Sequence, residues 1–254
     1  MRDHIIFYSL LKKYFIELKR YFLNTLMSMG GIFILFMMVF FGLASFEAGT
    51  ETLKGTIVGF AMWTFAVMAY SEMSWSLLEE ARDGTLEQLY LTPVSFRRIS
   101  AYRVLSSFLF QFVLFMIFLT AMMVVTGEYL TLGPGVIVLV GLSLISVYGI
   151  GYIMGGLSLV FKKVQAGNQI LQFMFILFLV LPTITEHPII YATPISWGNV
   201  LINRMLVGGY TLLDFSLMDI SILLLNSLAY LAVGVAAFTY LEKIAKERGL
   251  LGHY

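Results

Sequence analysis

Six long apolar runs constrain this chain more than any other feature of its sequence. A helix needs about 20 consecutive apolar residues to cross a bilayer, and in lipid every backbone polar group must be bonded internally, which favours helices. The sequence therefore predicts an all-α integral membrane protein of about six transmembrane helices, with residues 1–254 forming a single transmembrane domain. The predicted spans are residues 26–44, 56–78, 104–125, 136–161, 170–184 and 220–241.

The end of the fifth span is left open by the sequence. Its apolar run is short and ends against Pro182 and Pro188, and proline interrupts helices. Five spans plus a re-entrant piece is therefore the alternative to six.

Composition agrees with a membrane protein and excludes other classes. Charged side chains make up 12% of the chain and apolar ones 59%, whereas a soluble domain is about one quarter charged. The net charge of +1 gives no basic field for nucleic acid, so we expect no nucleic-acid partner. The chain has no cysteine, no His-Glu-x-x-His and no Gly-x-Ser-x-Gly. We therefore expect no metal site and no catalytic residues, and the chain is not predicted to be an enzyme.

Basic residues predict the orientation, because Lys and Arg near the ends of spans are retained on the cytoplasmic side. With six spans and both termini inside, all of the 16 Lys and Arg residues except Lys54 and Arg204 lie on cytoplasmic segments, Arg103 among them. The opposite orientation would reverse this distribution. The sequence thus predicts a multi-pass protein of the cytoplasmic membrane with both termini in the cytoplasm.

An amphipathic helix is predicted before the first span, over residues 4–22. Apolar side chains such as Phe7, Leu11 and Tyr14 follow helical spacing, and charged ones such as Lys12 lie largely between them. Such a helix is suited to the membrane interface. It serves either as an anchor alone or as a mechanical link to a cytoplasmic partner.

An external segment, residues 185–218, is predicted between the fifth and sixth spans. A connection this long without structure of its own is uncommon. Its apolar stretches at 189–192 and 200–207 predict short helices that dip into the outer leaflet or lie on it.

A short cytoplasmic helix, residues 85–92, is predicted after the second span. Gly84 can end the preceding helix, Thr85 can cap the next one with Gln88 completing a capping box, and Pro93 ends it. A helix of about two turns is not stable alone in water, so its apolar face needs either a groove on a partner protein or the end of the bundle. That face consists of Leu86, Leu89 and Tyr90.

The same segment carries the pattern Glu-x-x-x-Gly-Thr-Leu-Glu-x-Leu-x-x-Thr-Pro, from Glu80 to Pro93. This pattern resembles the signature of type 2 ATP-binding-cassette (ABC) exporter permeases, the membrane subunits of daunorubicin-resistance-like drug exporters and of polysaccharide and lipid exporters. The amino-terminal helix, the six spans and the Pro/Trp-containing external segment extend the similarity over nearly the whole chain. The resemblance implies that coupling to an ATPase subunit involves Glu80, Gly84, Thr85, Leu86, Glu87, Leu89, Tyr90 and Pro93.

The resemblance also implies a function. In that family the matching segment is a coupling helix that inserts into a cleft of the nucleotide-binding subunit, and two permeases form the translocation path between them. It implies a homodimer of this chain in membrane lipid with two ABC ATPase subunits, exporting an amphiphilic drug, lipid or glycan, as in multidrug efflux. The chain has no Gly-x-x-x-x-Gly-Lys-Ser/Thr phosphate loop. We therefore expect no cofactor in this chain, with ATP and Mg on the partner.

Glu72 is the one acid predicted inside a span, one to two turns from the cytoplasmic end of the second. A carboxylate within the membrane is costly and usually faces a cavity or a partner. Glu72 is thus a candidate for an inner gate or for contact with cationic cargo. Alternatively, it reaches the interface or bonds to Ser71, Ser76 or a neighbouring span.

A secondary transporter or channel without ATP coupling is the alternative function. It would be expected to place ionisable residues or broken helices near mid-membrane, and five of the six predicted spans have no acid or base in their interior.

Small and polar residues inside the spans predict how the helices pack. Gly151 and Gly155 are four residues apart and favour close helix packing, either within one subunit or between two. Gln111 and Asn226 predict interhelical hydrogen bonds, and Gln172 is a further candidate.

Overall fold

The computed structural model describes residues 2–46, 49–82, 85, 88, 92, 94, 96–161 and 164–249. Within these residues the chain forms α-helices and one short 3₁₀ helix, Leu212–Asp214, and no strand. The helices are α1 (Arg2–Arg20), α2 (Phe22–Ser45), α3 (Thr50–Arg82), α4 (Phe96–Thr126), α5 (Gly135–Val160), α6 (Gln165–Ile184), α7 (Ile189–Ala192), α8 (Ser196–Leu206) and α9 (Leu217–Glu247).

Six of these helices, α2 to α6 and α9, are long and apolar enough to cross a membrane. Each predicted span lies on one of them, with only Phe161 falling outside its helix. The prediction of a helical, multi-pass membrane protein is confirmed at this level. The helices are longer than the predicted spans because charged and polar turns, which the hydropathy pattern excludes, continue α3, α4 and α9.

The bundle is organised around α5. This helix packs between α3 and α9 and is also contacted by α8, while α3 in turn contacts α2, α4 and α6. Side chains buried between α3 and its neighbours include Phe65, Tyr70 and Phe175. The fourth predicted span is thus the central element of the fold.

Two glycines set the closest approach between α5 and α9. A Cβ atom at Gly149 would overlap the backbone of α9, and one at Gly234 would overlap the backbone of Gly149. Small residues permit this approach. Gly151 instead faces α3, where a Cβ would lie 3.2 Å from the Tyr70 carbonyl oxygen. Gly151 thus packs against α3 of its own chain, but the tightest helix contact uses a glycine pair that the sequence pattern did not single out.

Pro182 lies inside α6, and the helix ends at Ile184. Proline has no N–H to donate to the carbonyl four residues earlier, which here belongs to Phe178. The Ser196 hydroxyl of α8 donates to that carbonyl at 2.6 Å. A side chain from another helix thus bonds the carbonyl that the proline leaves without its backbone donor, and the helix continues for two residues beyond Pro182.

Two short helices, α7 and α8, lie within residues 185–218, where the apolar stretches predict them. Hydrogen bonds attach this segment to α9. The Asn226 amide donates to the Tyr191 carbonyl at 2.8 Å, and the Trp197 indole donates to the Asp219 carbonyl at 3.1 Å. Between α7 and α8, Ile195 adopts φ = 63°, a left-handed conformation that costs a β-branched residue free energy.

Candidate functional site

The strongest candidate site is a buried polar cluster at one end of the bundle, where α3 and α4 approach the connection between them. The cluster joins α1, α3, α4 and α5. Its members are Tyr14, Glu72, Ser76, Glu80, Ser100, Arg103, Ser107, Tyr148 and Tyr152.

An ion pair between α3 and α4 forms the centre of this cluster. Arg103 Nη2 donates to Glu80 Oε1 at 2.5 Å, and Arg103 Nη1 donates to Ser76 Oγ at 3.3 Å. The Arg103 side chain is 5% exposed and the Glu80 side chain 18%. The sequence placed Arg103 among the basic residues of a cytoplasmic segment, whereas its guanidinium is buried within the bundle. Removing only one partner of such a buried ion pair strongly destabilises a protein.

The backbone carbonyl of Glu80, near the end of α3, also bonds to the predicted coupling segment. The Thr85 N–H and hydroxyl both donate to the Glu80 carbonyl, at 3.0 and 3.2 Å. Gln88 is helical and exposed. The other predicted coupling residues, Gly84, Leu86, Glu87, Leu89, Tyr90 and Pro93, lie outside the residues that the structure describes.

Glu72 accepts a hydrogen bond from Tyr14 at 2.6 Å. This bond joins α1 to α3, and the Tyr14 ring also stacks on Phe110 of α4 with centroids 5.6 Å apart. Burial raises the pKa of the Tyr14 phenol above its usual range, and the adjacent Glu72 carboxylate raises it further. Tyr14 therefore stays protonated and donates. The Glu72 carboxylate thus bonds to a neighbouring helix, although that helix is α1 and not a span.

Hydroxyl groups extend the cluster to α5. The Ser100 and Tyr152 hydroxyls are 2.6 Å apart, and the Ser107 and Tyr148 hydroxyls are 3.3 Å apart. Sequence reasoning did not single out these four residues. A signal was present, because residues 100 and 107 are two helical turns apart and residues 148 and 152 one turn apart, so that each pair shares a helix face.

The other predicted polar residues lie apart from this cluster. Gln111 donates from Nε2 to the Met68 carbonyl at 3.4 Å, and Asn226 bonds α9 to α7, so both form the interhelical bonds expected of them. Gln172 contributes its backbone carbonyl, which accepts from the Trp63 indole at 3.1 Å. Among the described residues, no group of three His, Asp or Glu side chains is arranged to hold a metal ion.

The arrangement suits mechanical transmission. Its carboxylates bond α3 to α1 and to α4, and its hydroxyls bond α4 to α5. Displacing either end of the α3–α4 connection would therefore strain contacts to α1 and α5. Comparison with protein-family models finds no family that matches this chain, and comparison with curated proteins finds no match either.

Proposed function

We propose that this chain is the membrane-spanning permease subunit of an ATP-driven ABC exporter. It would lie in the cytoplasmic membrane with both termini in the cytoplasm, pair with a second copy of itself and bind ABC ATPase subunits that carry ATP and Mg. Its cargo would be an amphiphilic drug, lipid or glycan. The chain itself would perform no covalent chemistry.

The Arg103–Glu80 ion pair is the observation that carries this proposal. Glu80 opens the pattern that resembles the coupling segment of type 2 permeases, and its carboxylate is bonded at 2.5 Å to the helix on the other side of that segment. A displacement of residues 85–92 would therefore move α3 and α4 together. This is the mechanical connection that coupling to a cytoplasmic ATPase requires.

The amino-terminal helix supports the same function. Tyr14 of α1 bonds to Glu72 and stacks on Phe110, so α1 is attached to both helices that flank the coupling segment. Of the two interpretations of this helix, these contacts favour the mechanical link over the anchor alone.

Co-purification with an ABC ATPase subunit encoded beside this chain tests the proposal. If Leu86, Leu89 and Tyr90 dock in the ATPase, then Leu89→Glu or Tyr90→Glu buries an unpaired charge. We expect the affinity to fall on the order of a thousandfold, which is several kcal/mol. The variants should lose both assembly and cargo-stimulated ATP hydrolysis in reconstituted membranes.

Val233→Ile in the last predicted span is the control, since Val233 is exposed in the middle of α9. It should assemble as wild type does. Assembly and transport at wild-type levels by the Leu89→Glu and Tyr90→Glu variants would contradict the assignment of this segment.

A secondary transporter is the second candidate, and Glu72 is the observation that favours it. Glu72 lies within the second predicted span and accepts a hydrogen bond from Tyr14, and carboxylates within membrane spans mark proton relays and ion pathways in pumps and transporters. In that case vesicles containing only this chain would move cargo in response to a pH gradient, and Glu72→Gln would abolish the movement. Transport that requires the ATPase subunit and ATP would exclude this candidate.

A further inference from the structure

Helix α1 is attached to the bundle through one of its faces. That face includes Phe7, Leu11 and Tyr14, which helical spacing aligns. Phe7 and Leu11 are half-buried, and Tyr14 bonds to Glu72 of α3 and stacks on Phe110 of α4. The apolar face that periodicity predicts is therefore turned toward α3 and α4, and the opposite face of α1 points outward.

The outward side of α1 combines exposed aromatic and basic side chains. Tyr8, Lys12, Phe15 and Lys19 follow one another at intervals of four, three and four residues, so they form a single stripe along the helix. Tyr8 is 68% exposed and Phe15 is 63% exposed, and both lysines are exposed. Arg20, next to Lys19 in the sequence, is exposed as well. These five residues are called the outer face of α1.

The outer face of α1 is positively charged. The two acids of α1 lie elsewhere: Glu17 pairs with Lys13 at 3.6 Å, and Asp3 lies nine residues before Lys12, which is about 14 Å along the helix axis. Among the residues that the structure describes, the three basic side chains of the outer face form no ion pair. Their charges are therefore available to an anionic group outside the chain.

Two contacts place α1 at the depth of a membrane interface. Tyr14 bonds to Glu72, six residues before the second predicted span ends at Leu78, and stacks on Phe110, six residues after the third begins at Val104. Six helical residues correspond to about 9 Å, and interfacial amphipathic helices are buried about 5 to 10 Å into the boundary between head groups and acyl chains. At this depth the outer face meets lipid, whereas a protein bound to the predicted coupling segment would lie farther out along α3 and α4.

We propose that the outer face of α1 binds anionic phospholipid head groups of the leaflet around this end of the bundle. The Tyr8 and Phe15 rings lie at the boundary with the acyl chains, and Lys12, Lys19 and Arg20 extend to the lipid phosphates, as long basic side chains do at a membrane surface. Zwitterionic lipid has no net charge, so the three cations favour anionic lipid over it. This inference does not depend on ATP coupling.

A quenching experiment on the full chain tests this proposal. The chain has no natural cysteine, so Tyr8→Cys carries one fluorophore on the outer face. The labelled protein is placed in phosphatidylcholine nanodiscs that contain a small fraction of nitroxide-labelled phosphatidylglycerol or, separately, of nitroxide-labelled phosphatidylcholine. We expect phosphatidylglycerol to quench more strongly, and added salt to reduce the difference because it screens exposed charges. Equal quenching by the two lipids would overturn the proposal.

A fluorophore at Leu213→Cys is the reference for this measurement. Leu213 is 95% exposed in the short 3₁₀ helix before α9, and no basic residue lies between it and Arg204 in the sequence. Quenching at this position should be equal for the two lipids. The same preference for phosphatidylglycerol at both positions would contradict a specific role of α1.

Removing charges tests which residues select the lipid. Each of Lys12→Gln and Lys19→Gln should lower the preference for phosphatidylglycerol by about fivefold, because a basic residue near a lipid surface contributes about 1 kcal/mol. The matched control is Lys13→Gln/Glu17→Gln, which removes the paired charges from the same helix without changing its net charge. It should keep the wild-type preference. All four positions are exposed, so the fold should be retained, and an unchanged preference in Lys12→Gln/Lys19→Gln would overturn the proposal.

Other occupants of the outer face would give different results. If a second copy of this chain covers the face, two copies carrying Tyr8→Cys should form a disulfide efficiently. If the ATPase subunit covers it, Lys12→Gln/Lys19→Gln should no longer co-purify with that subunit, while the lipid preference stays as in wild type. We expect no efficient disulfide and wild-type co-purification, and either of the two opposite results would overturn the proposal.

Discussion

At the scale of single residues, the buried Arg103–Glu80 ion pair is the contact that should matter most for stability. Removing only one of its two partners should destabilise the protein more than the loss of any other single contact. Arg103→Met leaves the Glu80 carboxylate without its partner, in a place where Glu80 Oε2 already lacks a hydrogen bond from any described residue. We expect the free energy of unfolding to fall by about 3 to 5 kcal/mol. Denaturant unfolding in detergent micelles, followed by circular dichroism, measures this change.

The double variant Arg103→Met/Glu80→Gln is the control, because it removes both charges and leaves no unpaired ion. It should recover most of the lost stability. If Arg103→Met alone is as stable as wild type, then the ion pair is not buried as the structure has it.

At the scale of elements, the contact between α5 and α9 determines whether the central helix can pack. Gly234→Ala places a methyl group on the backbone of Gly149, and we expect a loss of about 1 to 3 kcal/mol from overpacking. Gly59→Ala in α3 makes the same chemical change where nothing lies within 4 Å of the added Cβ. It should not lower stability, because alanine favours helix more than glycine does.

Thermal unfolding of both glycine variants in the same detergent separates the two effects. A similar melting temperature for Gly234→Ala and Gly59→Ala would contradict the close approach of α5 and α9, since the intrinsic helix preference changes equally in both.

At the scale of the whole molecule, the alternation of the six long helices determines which connections lie at the same end of the bundle. Gly49, Thr131 and Gly209 lie in connections that this alternation brings to one end of the bundle, and Thr131 bonds there to the Leu206 carbonyl of α8. Gln165 begins α6 at the opposite end. With both termini in the cytoplasm, single cysteines at the first three positions should react with an impermeant thiol reagent added to intact cells.

A cysteine in place of Gln165 is the internal control for that experiment and should react only after the cells are opened. The chain contributes no cysteine of its own to the background. Labelling of Gln165→Cys from outside intact cells would show the opposite orientation, and the predicted coupling segment would then not lie in the cytoplasm.

The sequence by itself determined the helical class, the six long apolar helices and the short helices near residues 189–192 and 200–207. These follow from local hydropathy and from the backbone bonding that lipid demands. Only the tertiary structure decided which groups meet. The sequence assigns Arg103 to the basic residues of a cytoplasmic segment and Tyr14 to the apolar face of an interfacial helix, because periodicity does not show that Glu80 and Glu72 lie beside them. The end of the fifth span is left open by the sequence, because the Ser196 hydroxyl that bonds the carbonyl left free by Pro182 comes from another helix.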